Sequence, residues 1–298
     1  MKYQIISDSS CDLPSDLVKK NQIEVVPFYV SFDGSTYQKE GVEIDIRDFY
    51  QQMIDNPKVF PKSSLPSVED YLNVFTPHVE AGTPILCICI TTKFSGSYNA
   101  AMNAKNILLE THPNAVITVI DATINTVLQG LYVLEASRMQ QAGCTYDETV
   151  ARLEEIKSTG RIIFTIGSME YLKKGGRIGK LATLAADTLG IKPLIMLKEG
   201  EIFPTGITRS RKKGKEKLIA QLKEHFEQIN ESPDSYSICV GYGYDYEEAV
   251  EFRDAALASL STYSNITELP LRQIGATIGV HTGPHPIGFG LIKKYDAK

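Results

Sequence analysis

The sequence predicts an α/β protein of two domains, with a mostly parallel, doubly wound sheet in residues 1–160 and a mixed sheet in residues 161–298. The 298 residues allow one large domain or two of about 150 residues each. Strand-sized apolar runs alternate with helical patterns through the first half, which is typical of a parallel sheet. The second half contains two adjacent strand patterns around a tight turn, which predicts a hairpin and hence a mixed sheet.

The first domain is predicted from four short apolar runs and from the helix-start signals between them. Ser67 with Asp70, and Thr145 with Glu148, form capping boxes, in which side chains bond the free N–H groups of a first helical turn. Gly160 is a plausible end for this half. We therefore predict strands over 3–6, 23–32, 84–90 and 115–120, and helices over 45–53, 67–80, 97–110, 125–141 and 145–159.

The second domain is predicted from its hairpin and from the strand and helix patterns on either side of it. Glu199 and Gly200 separate the strand patterns of residues 191–197 and 201–207. A short helix is predicted to end at Gly175. The other predicted strands cover 161–166, 236–242, 276–280 and 287–292, and the predicted helices cover 169–174, 182–189, 218–229 and 246–260.

The composition excludes several classes of protein. A net charge of -5, from 31 Lys and Arg against 36 Asp and Glu, argues against a protein built to bind nucleic acid. No apolar run approaches the roughly 18 residues that a membrane helix needs, and the first residues do not resemble a secretory signal. The five cysteines show neither disulfide-framework nor metal-site spacing. We therefore expect a reduced, cytoplasmic protein without a bound metal.

Hydroxyl-rich loops follow three predicted strands of the first domain, at residues 7–10, 91–97 and 121–123. Ligands of doubly wound folds bind outside the carboxyl ends of the strands, where hydroxyls and helix starts can bind an anion. Ser and Thr are also ordinary helix caps and turn residues, so each loop alone is more simply explained that way. Three such loops at one edge favour a ligand crevice, and Ser63 and Ser64 can face it as well.

His281 is the sharpest local signal, because it follows an apolar strand pattern and precedes Thr282, Gly283 and Pro284. A histidine in this place can donate a hydrogen bond to a carboxylate, act as a general base, or simply bond its own loop. The candidate site contains many hydroxyls and few acids or bases, and the sequence lacks a nucleophile elbow. These features favour binding over catalysis.

Two basic segments have no assigned ligand. Residues 175–180 are rich in glycine and carry Arg177, but they do not match a phosphate-binding P-loop. They form either a turn with an exposed arginine or a docking loop for a partner or a phosphate. Arg209 begins a basic cluster that continues to Lys217 at the start of a helix. This cluster is either a solvated helix end or a patch for an acidic partner or an anionic membrane surface.

Five motifs carry a resemblance to a known family: residues 7–14 (SDSSCDLP), 62–67 (KSSLPS), 94–98 (FSGSY), 170–179 (EYLKKGGRIG) and 278–284 (IGVHTGP). Taken together, they resemble the motifs of the DegV family, whose members include the fatty-acid-binding subunits of bacterial fatty acid kinase. The resemblance extends over nearly the whole chain. Several positions depart from the family pattern: Ser63 stands at the usual Thr, Leu65 at the usual Gln and His285 at the usual Gly.

This resemblance implies a two-domain protein that holds one long-chain fatty acid in an apolar tunnel between its domains. Ser63, Ser95 and His281 would bind the carboxylate. Residues expected around that network are Ser64, Thr92, Gly96, Thr123 and Thr282. Residues expected to dock a partner are Gly176, Arg177 and Arg209.

The resemblance also implies a carrier rather than an enzyme. The protein would present its fatty acid to a separate ATP-dependent kinase and carry the acyl-phosphate to phospholipid synthesis, with transient contact to a membrane surface or an acyltransferase. It would need no cofactor. One alternative is an acyl transferase or esterase with Ser95 as nucleophile and His281 as base. Another is a scaffold whose basic loops bind a protein partner.

Overall fold

The computed structural model describes residues 3–183 and 190–297, and within them it has thirteen strands and ten α-helices. The strands are β1 (Gln4–Asp8), β2 (Glu24–Val26), β3 (Tyr29–Ser31), β4 (Gln38–Lys39), β5 (Lys62–Ser64), β6 (Ile85–Cys89), β7 (Ile117–Asp121), β8 (Arg161–Thr165), β9 (Lys192–Lys198), β10 (Glu201–Thr208), β11 (Tyr236–Tyr242), β12 (Leu271–Gln273) and β13 (Ile287–Lys293). The helices are α1 (Ser15–Lys20), α2 (Ile46–Asp55), α3 (Val68–Glu80), α4 (Ser97–Thr111), α5 (Thr126–Gln141), α6 (Tyr146–Lys157), α7 (Glu170–Lys174), α8 (Arg211–Ile229), α9 (Tyr246–Leu260) and α10 (Ala276–Thr282).

The first sheet is parallel, with the strand order β2-β1-β6-β7. Both of its faces are covered, because alternate residues of each strand point to opposite sides. Ile6 and Cys87 pack against α3 and α4, whereas Ile5 and Leu86 face the core that contains α5 and α6. This burial on both faces explains why β6 is apolar throughout, and the predicted doubly wound sheet is confirmed.

The second sheet is mixed, with the order β10-β9-β8-β13-β11-β12, and only β11 and β12 pair in parallel. The predicted hairpin is confirmed: β9 and β10 pair antiparallel, and Glu199 and Gly200 both have positive φ, as a type I′ turn requires. One face of this sheet packs against α8 and α9, and the opposite face packs against α5.

The predicted strand over 23–32 is wrong as a single element, because the chain leaves the first sheet after β2. Pro27 lies between β2 and β3, and a proline has no N–H to donate to a ladder. Strand β3 belongs to a separate antiparallel sheet of order β4-β3-β5, which the sequence analysis did not predict. Strands β4 and β5 have only two and three residues, too few to show a period.

The predicted strand over 276–280 is also wrong, because these residues form the helix α10. A short run that is buried on all sides has the same apolar pattern in either structure. Gly279 fits the helix closely against α2, since a Cβ there would lie 2.9 Å from the Tyr50 hydroxyl. Of the predicted helix over 182–189, residues 182 and 183 end a 3₁₀ turn that begins at Gly179, and 184–189 lie outside the described residues.

The two sheets share a continuous apolar core. Leu128 of α5 and Ile162 of β8 belong to one cluster of buried side chains, although they lie on opposite sides of Gly160. The domain boundary at residue 160 therefore stays a prediction. Within the described ranges, no helix has both the length and the apolar content needed to cross a bilayer.

We predict that Gly130→Ala destabilises the fold, although alanine normally favours a helix. A Cβ at position 130 would clash with the Cys11 carbonyl oxygen and lie 3.1 Å from Leu13, so α5 would move away from the turn after β1. Overpacking of this kind costs about 1–3 kcal/mol, measurable by urea unfolding. Gly214→Ala in α8 is the matched control, because its nearest neighbour is a Thr208 methyl group. An equal or smaller effect at position 130 would contradict this account.

Candidate functional site

A cavity of about 220 Å³ lies where the start of α5, α10 and the second sheet meet. We call it the central cavity. Its wall is mostly apolar and includes Phe28, Ile90 and Val127 from the first half of the chain and Ile162, Leu197 and Phe289 from the second. The polar residues on the wall are Ser63, Ser64, Ser95, Asn125, Thr126, Arg177, Thr277, His281 and Thr282.

Ser63 and His281 meet at the wall of the central cavity. Ser63 lies on β5 of the small antiparallel sheet, and His281 lies in the last turn of α10. The Ser63 Oγ and His281 Nε2 atoms are 3.2 Å apart. Two residues separated by 218 positions are thus joined by a hydrogen bond that depends on the packing of α10 against β3 and β5.

The environment of His281 keeps its imidazole neutral. Burial lowers its pKa to about 4, with a smaller contribution from the positive charge of Arg177. Its Nδ1 atom is buried without a hydrogen-bond partner and lies against Gly175, where any Cβ would clash with it. A proton on Nδ1 would have no acceptor, so we assign the proton to Nε2, which donates to Ser63 Oγ. The Ser63 hydroxyl proton then remains free to donate to a ligand.

Ser95 is held in the loop between β6 and α4 by its own backbone and by Ser97. The Ser95 N–H donates to the Thr91 carbonyl oxygen at 3.2 Å, and Ser95 Oγ accepts from the Ser97 N–H at 3.2 Å. Because its oxygen already accepts a hydrogen bond, the Ser95 hydroxyl proton is also available to a ligand. Ser63 and Ser95 therefore supply two hydroxyl donors to one cavity.

Behind this loop lies a fully buried carboxyl group, Asp8, whose role the sequence analysis missed. Asp8 accepts hydrogen bonds from Ser10 Oγ, Gln129 Nε2, Ser97 Oγ and the Ile90 N–H at 2.6–2.9 Å. Burial raises its pKa, and these four bonds oppose that rise. The network fixes the start of α4 relative to β1 and α5. A carboxylate within the hydroxyl-rich motif of residues 7–14 was the available signal for it.

Arg177 places a positive charge beside the same wall. Its guanidinium donates to the Phe94 carbonyl oxygen from Nε and Nη2, at 3.1 and 2.9 Å, and to the Gly175 carbonyl oxygen at 2.7 Å. The side chain is otherwise exposed. The arginine thus joins the predicted docking loop to the Ser95 loop, and its charge favours an anion at the polar part of the cavity.

Not all of the predicted surrounding residues line the cavity. Ser64 and Thr282 do, whereas Thr92 and Thr123 bind Asp121, Thr92 through its hydroxyl and Thr123 through its backbone N–H. Gly96 precedes α4 and is also absent from the wall. Of the predicted docking residues, Gly176 and Arg209 are exposed and lie outside the wall.

His285, which departs from the family pattern, makes hydrogen bonds through its ring and its backbone carbonyl. Its Nδ1 atom lies 2.6 Å from Asp245 Oδ2, and its carbonyl oxygen accepts from Arg211 at 2.9 Å.

Three polar wall residues were not predicted: Asn125, Thr126 and Thr277. Within the described chain, no group of three or more His, Cys, Asp or Glu side chains is arranged to hold a metal ion.

The comparisons with known proteins agree with this architecture. A family model described as uncharacterised protein, DegV family, matches residues 2–294. The chain belongs to the DegV family. A DegV domain-containing protein of Clostridium acetobutylicum is 30% identical over 97% of this chain and 96% of its own length.

Two solved DegV-like structures are similar over almost their entire chains. A stearic-acid-binding protein from Eubacterium ventriosum is 45% identical, with a TM-score of 0.94 over 99% of this chain and 100% of that one. A DegV family protein from Thermus thermophilus, described as binding fatty acid, is 28% identical, with a TM-score of 0.86 over 98% and 100% of the two chains. The predicted DegV-like fold is therefore confirmed.

We predict that His281 makes folding stability depend on acidic pH. The unfolded imidazole titrates near pH 6.5 and the folded one at about 4, so the unfolded state binds more protons between these values. Stability is then fully present above pH 6.5 and is lost as the pH falls towards 4, by at most roughly 3 kcal/mol. Urea unfolding of the wild type and of His281→Gln should show this difference in slope. Burial also lowers the pKa of His225 to about 4. Because His225 is present in both proteins, it contributes equally to both slopes, and the difference between them reports His281. Parallel pH profiles would contradict the assignment.

Proposed function

We propose that this protein binds a long-chain fatty acid in the central cavity, with the carboxylate at Ser63, Ser95 and His281. The observation that carries this proposal is an apolar cavity whose polar wall offers two free hydroxyl donors and a neutral imidazole. The stearic-acid-binding relative from Eubacterium ventriosum supports it.

The acyl chain would supply most of the binding free energy. Each buried methylene contributes about 0.8 kcal/mol, so ten of them would contribute roughly 8 kcal/mol before the costs of ordering are subtracted. The carboxylate contacts would fix the orientation of the chain. Hydrogen bonds to a charged group are worth about 1.5–3 kcal/mol each, and they need no charged partner on the protein.

The geometry around His281 supports binding over the alternative of ester hydrolysis. A nucleophile and its base must lie within hydrogen-bond reach, and a third group usually orients the base. Here His281 bonds Ser63 rather than Ser95, and its Nδ1 atom has no acid partner. A pKa of about 4 also makes the imidazole a weak base at neutral pH.

We further propose that the protein presents its fatty acid to a separate ATP-dependent kinase and then carries the acyl-phosphate to phospholipid synthesis. Membership of the DegV family supports this proposal, as does the exposure of Arg177 beside the Ser95 loop. Exposed Arg209 and Gly176 would extend the docking surface. The positive charges of Arg177 and Arg209 would attract a kinase surface that carries nucleotide phosphates or acidic side chains.

We predict that protein purified from lipid-fed cells carries a long-chain fatty acid, detectable by mass spectrometry of a solvent extract. Ser95→Ala and Ser63→Ala should each weaken fatty acid binding by roughly tenfold to a hundredfold, the loss expected for one hydrogen bond to a carboxylate. Ser261→Ala, an exposed hydroxyl after α9, is the control. Protein without lipid, or full affinity in both cavity variants, would refute the proposal. Turnover of a p-nitrophenyl acyl ester that is lost in Ser95→Ala would instead support the esterase alternative.

We predict that Arg209→Ala leaves fatty acid binding unchanged but lowers acyl-phosphate formation by a fatty acid kinase subunit and ATP. The reason is that Arg209 is exposed and lies outside the cavity wall. Acyl-phosphate can be trapped with hydroxylamine and counted as hydroxamate. Exposed Lys223, on the same helix as the basic cluster, provides the control Lys223→Ala. Equal rates for both variants would remove Arg209 from the docking surface.

A further inference from the structure

Two buried carboxyl groups meet next to the central cavity, outside the carboxylate site proposed above. Asp12 follows the 3₁₀ turn after β1, and Glu40 follows β4 directly. Asp12 is 8% exposed to solvent and Glu40 is 5% exposed. The sequence gives no hint that they are close, because 28 positions separate them and they belong to different elements.

Asp12 and Glu40 connect the turn after β1, the end of β4, the start of α5 and the start of α10. Glu40 accepts hydrogen bonds from Ser9 Oγ at 2.5 Å, from the Thr277 N–H at 2.9 Å and from Thr277 Oγ1 at 2.7 Å. Asp12 accepts from Thr126 Oγ1 at 2.5 Å. Thr126 begins α5 and Thr277 lies in the first turn of α10, and both residues line the cavity.

The two carboxyl groups converge on Gly275. A Cβ at this position would clash with both Asp12 Oδ1 and Glu40 Oε1. Asp12 Oδ1 is buried and makes no hydrogen bond of good geometry. The Gly275 N–H acts on the Asp12 carboxyl and partly opposes the rise in its pKa. Two negative charges in such a site repel each other and lose their hydration, whereas one shared proton removes a charge and gives Oδ1 a partner.

We propose that Asp12 and Glu40 share one proton and, in that state, act as positioning residues that hold α10 and its His281 at the wall of the central cavity. Ile278, His281 and Thr282 all reach the cavity from this helix. Thr277, which Glu40 binds twice, lies one helical turn before His281. This inference rests on the proposed function, because it assigns the pair a role in fatty acid binding.

The proposal predicts that binding weakens when the shared proton is lost. The pKa of Asp12 is raised well above its usual range, first by burial and then by the charge of Glu40. Burial also raises the pKa of Glu40. The site is therefore intact below the raised pKa of the pair and loosens as the pH rises through it.

Among the described residues, the titratable groups that act most strongly on the pair are acids. Asp8 lies on β1, Cys11 lies in the turn that follows it, and Tyr50 lies on α2. A negative charge on Tyr242 of β11 would raise the pKa of Tyr50 further. Burial raises the pKa of Cys11 and of Tyr50. Their ionisation would repel a second negative charge on the pair, so none of them would hold the doubly ionised state together.

The test compares wild type with Asp12→Asn and Glu40→Gln in fluorescence titrations with cis-parinaric acid between pH 6 and 10, a range chosen to follow the loss of a proton from carboxyl groups with raised pKa values. An amide donates a permanent N–H in place of the shared proton. The wild type should weaken by about tenfold or more, the equivalent of one pKa unit of coupling. Both variants should bind with little dependence on pH. Asp16→Asn, an exposed acid of α1, should follow the wild type.

A second measurement reads the position of α10 without any fatty acid. The His281 ring, assigned by comparison with His281→Gln, is neutral throughout this range, so its NMR signals should move only if α10 moves. They should shift with pH in the wild type and stay fixed in Asp12→Asn. Wild-type signals that do not move, or variants that keep the wild-type pH profile, would overturn the role of the pair. If the protein binds no lipid at any pH while the His281 signals still shift, fatty acid binding and the role of the pair in it are both overturned. The proton-dependent movement of α10 would still hold in that case.

Discussion

The burial of α5 between the two sheets is the constraint on which the rest of the structure depends. Twelve of its sixteen residues are buried, so it has no solvent-facing side to place polar groups on. Most of its buried polar side chains find partners inside the protein, with the Tyr132 hydroxyl as an exception, because an unpaired buried polar group costs about 1–3 kcal/mol. Gln129 binds Asp8 of the first sheet, and Glu135 binds Ser237 of the second. These contacts fix the two sheets relative to one helix.

The position of α5 also determines where a cavity can form. Val127 packs against Gly241 and Gly290 of the second sheet, where any side chain would crowd the helix. Thr126 begins the helix with a positive φ, which a β-branched residue rarely adopts. The surrounding contacts, including its bond to Asp12, hold that conformation. The part of the cavity wall at the start of α5 is thus held in place by contacts within the protein.

The candidate site favours an anion without relying on the net charge of the chain. Ser63 and Ser95 each accept one hydrogen bond from the protein, and this leaves their hydroxyl protons to donate. Arg177 adds one positive charge at the edge of the cavity. A protein of net charge -5 can therefore offer a locally favourable place for a carboxylate, because short-range donors outweigh distant charges that salt screens.

The sequence by itself determined the parallel sheet, the hairpin at Glu199 and Gly200, and the segments that carry Ser63, Ser95 and His281. These features are local, since they depend on periodicity, caps and turn residues within a few positions. Only the tertiary structure decided that α10 is a helix, that β3, β4 and β5 form a third sheet, and that Asp12 meets Glu40. The reason is that a short, fully buried run has no period to reveal its conformation, and contacts between distant residues leave no trace in the spacing of either one.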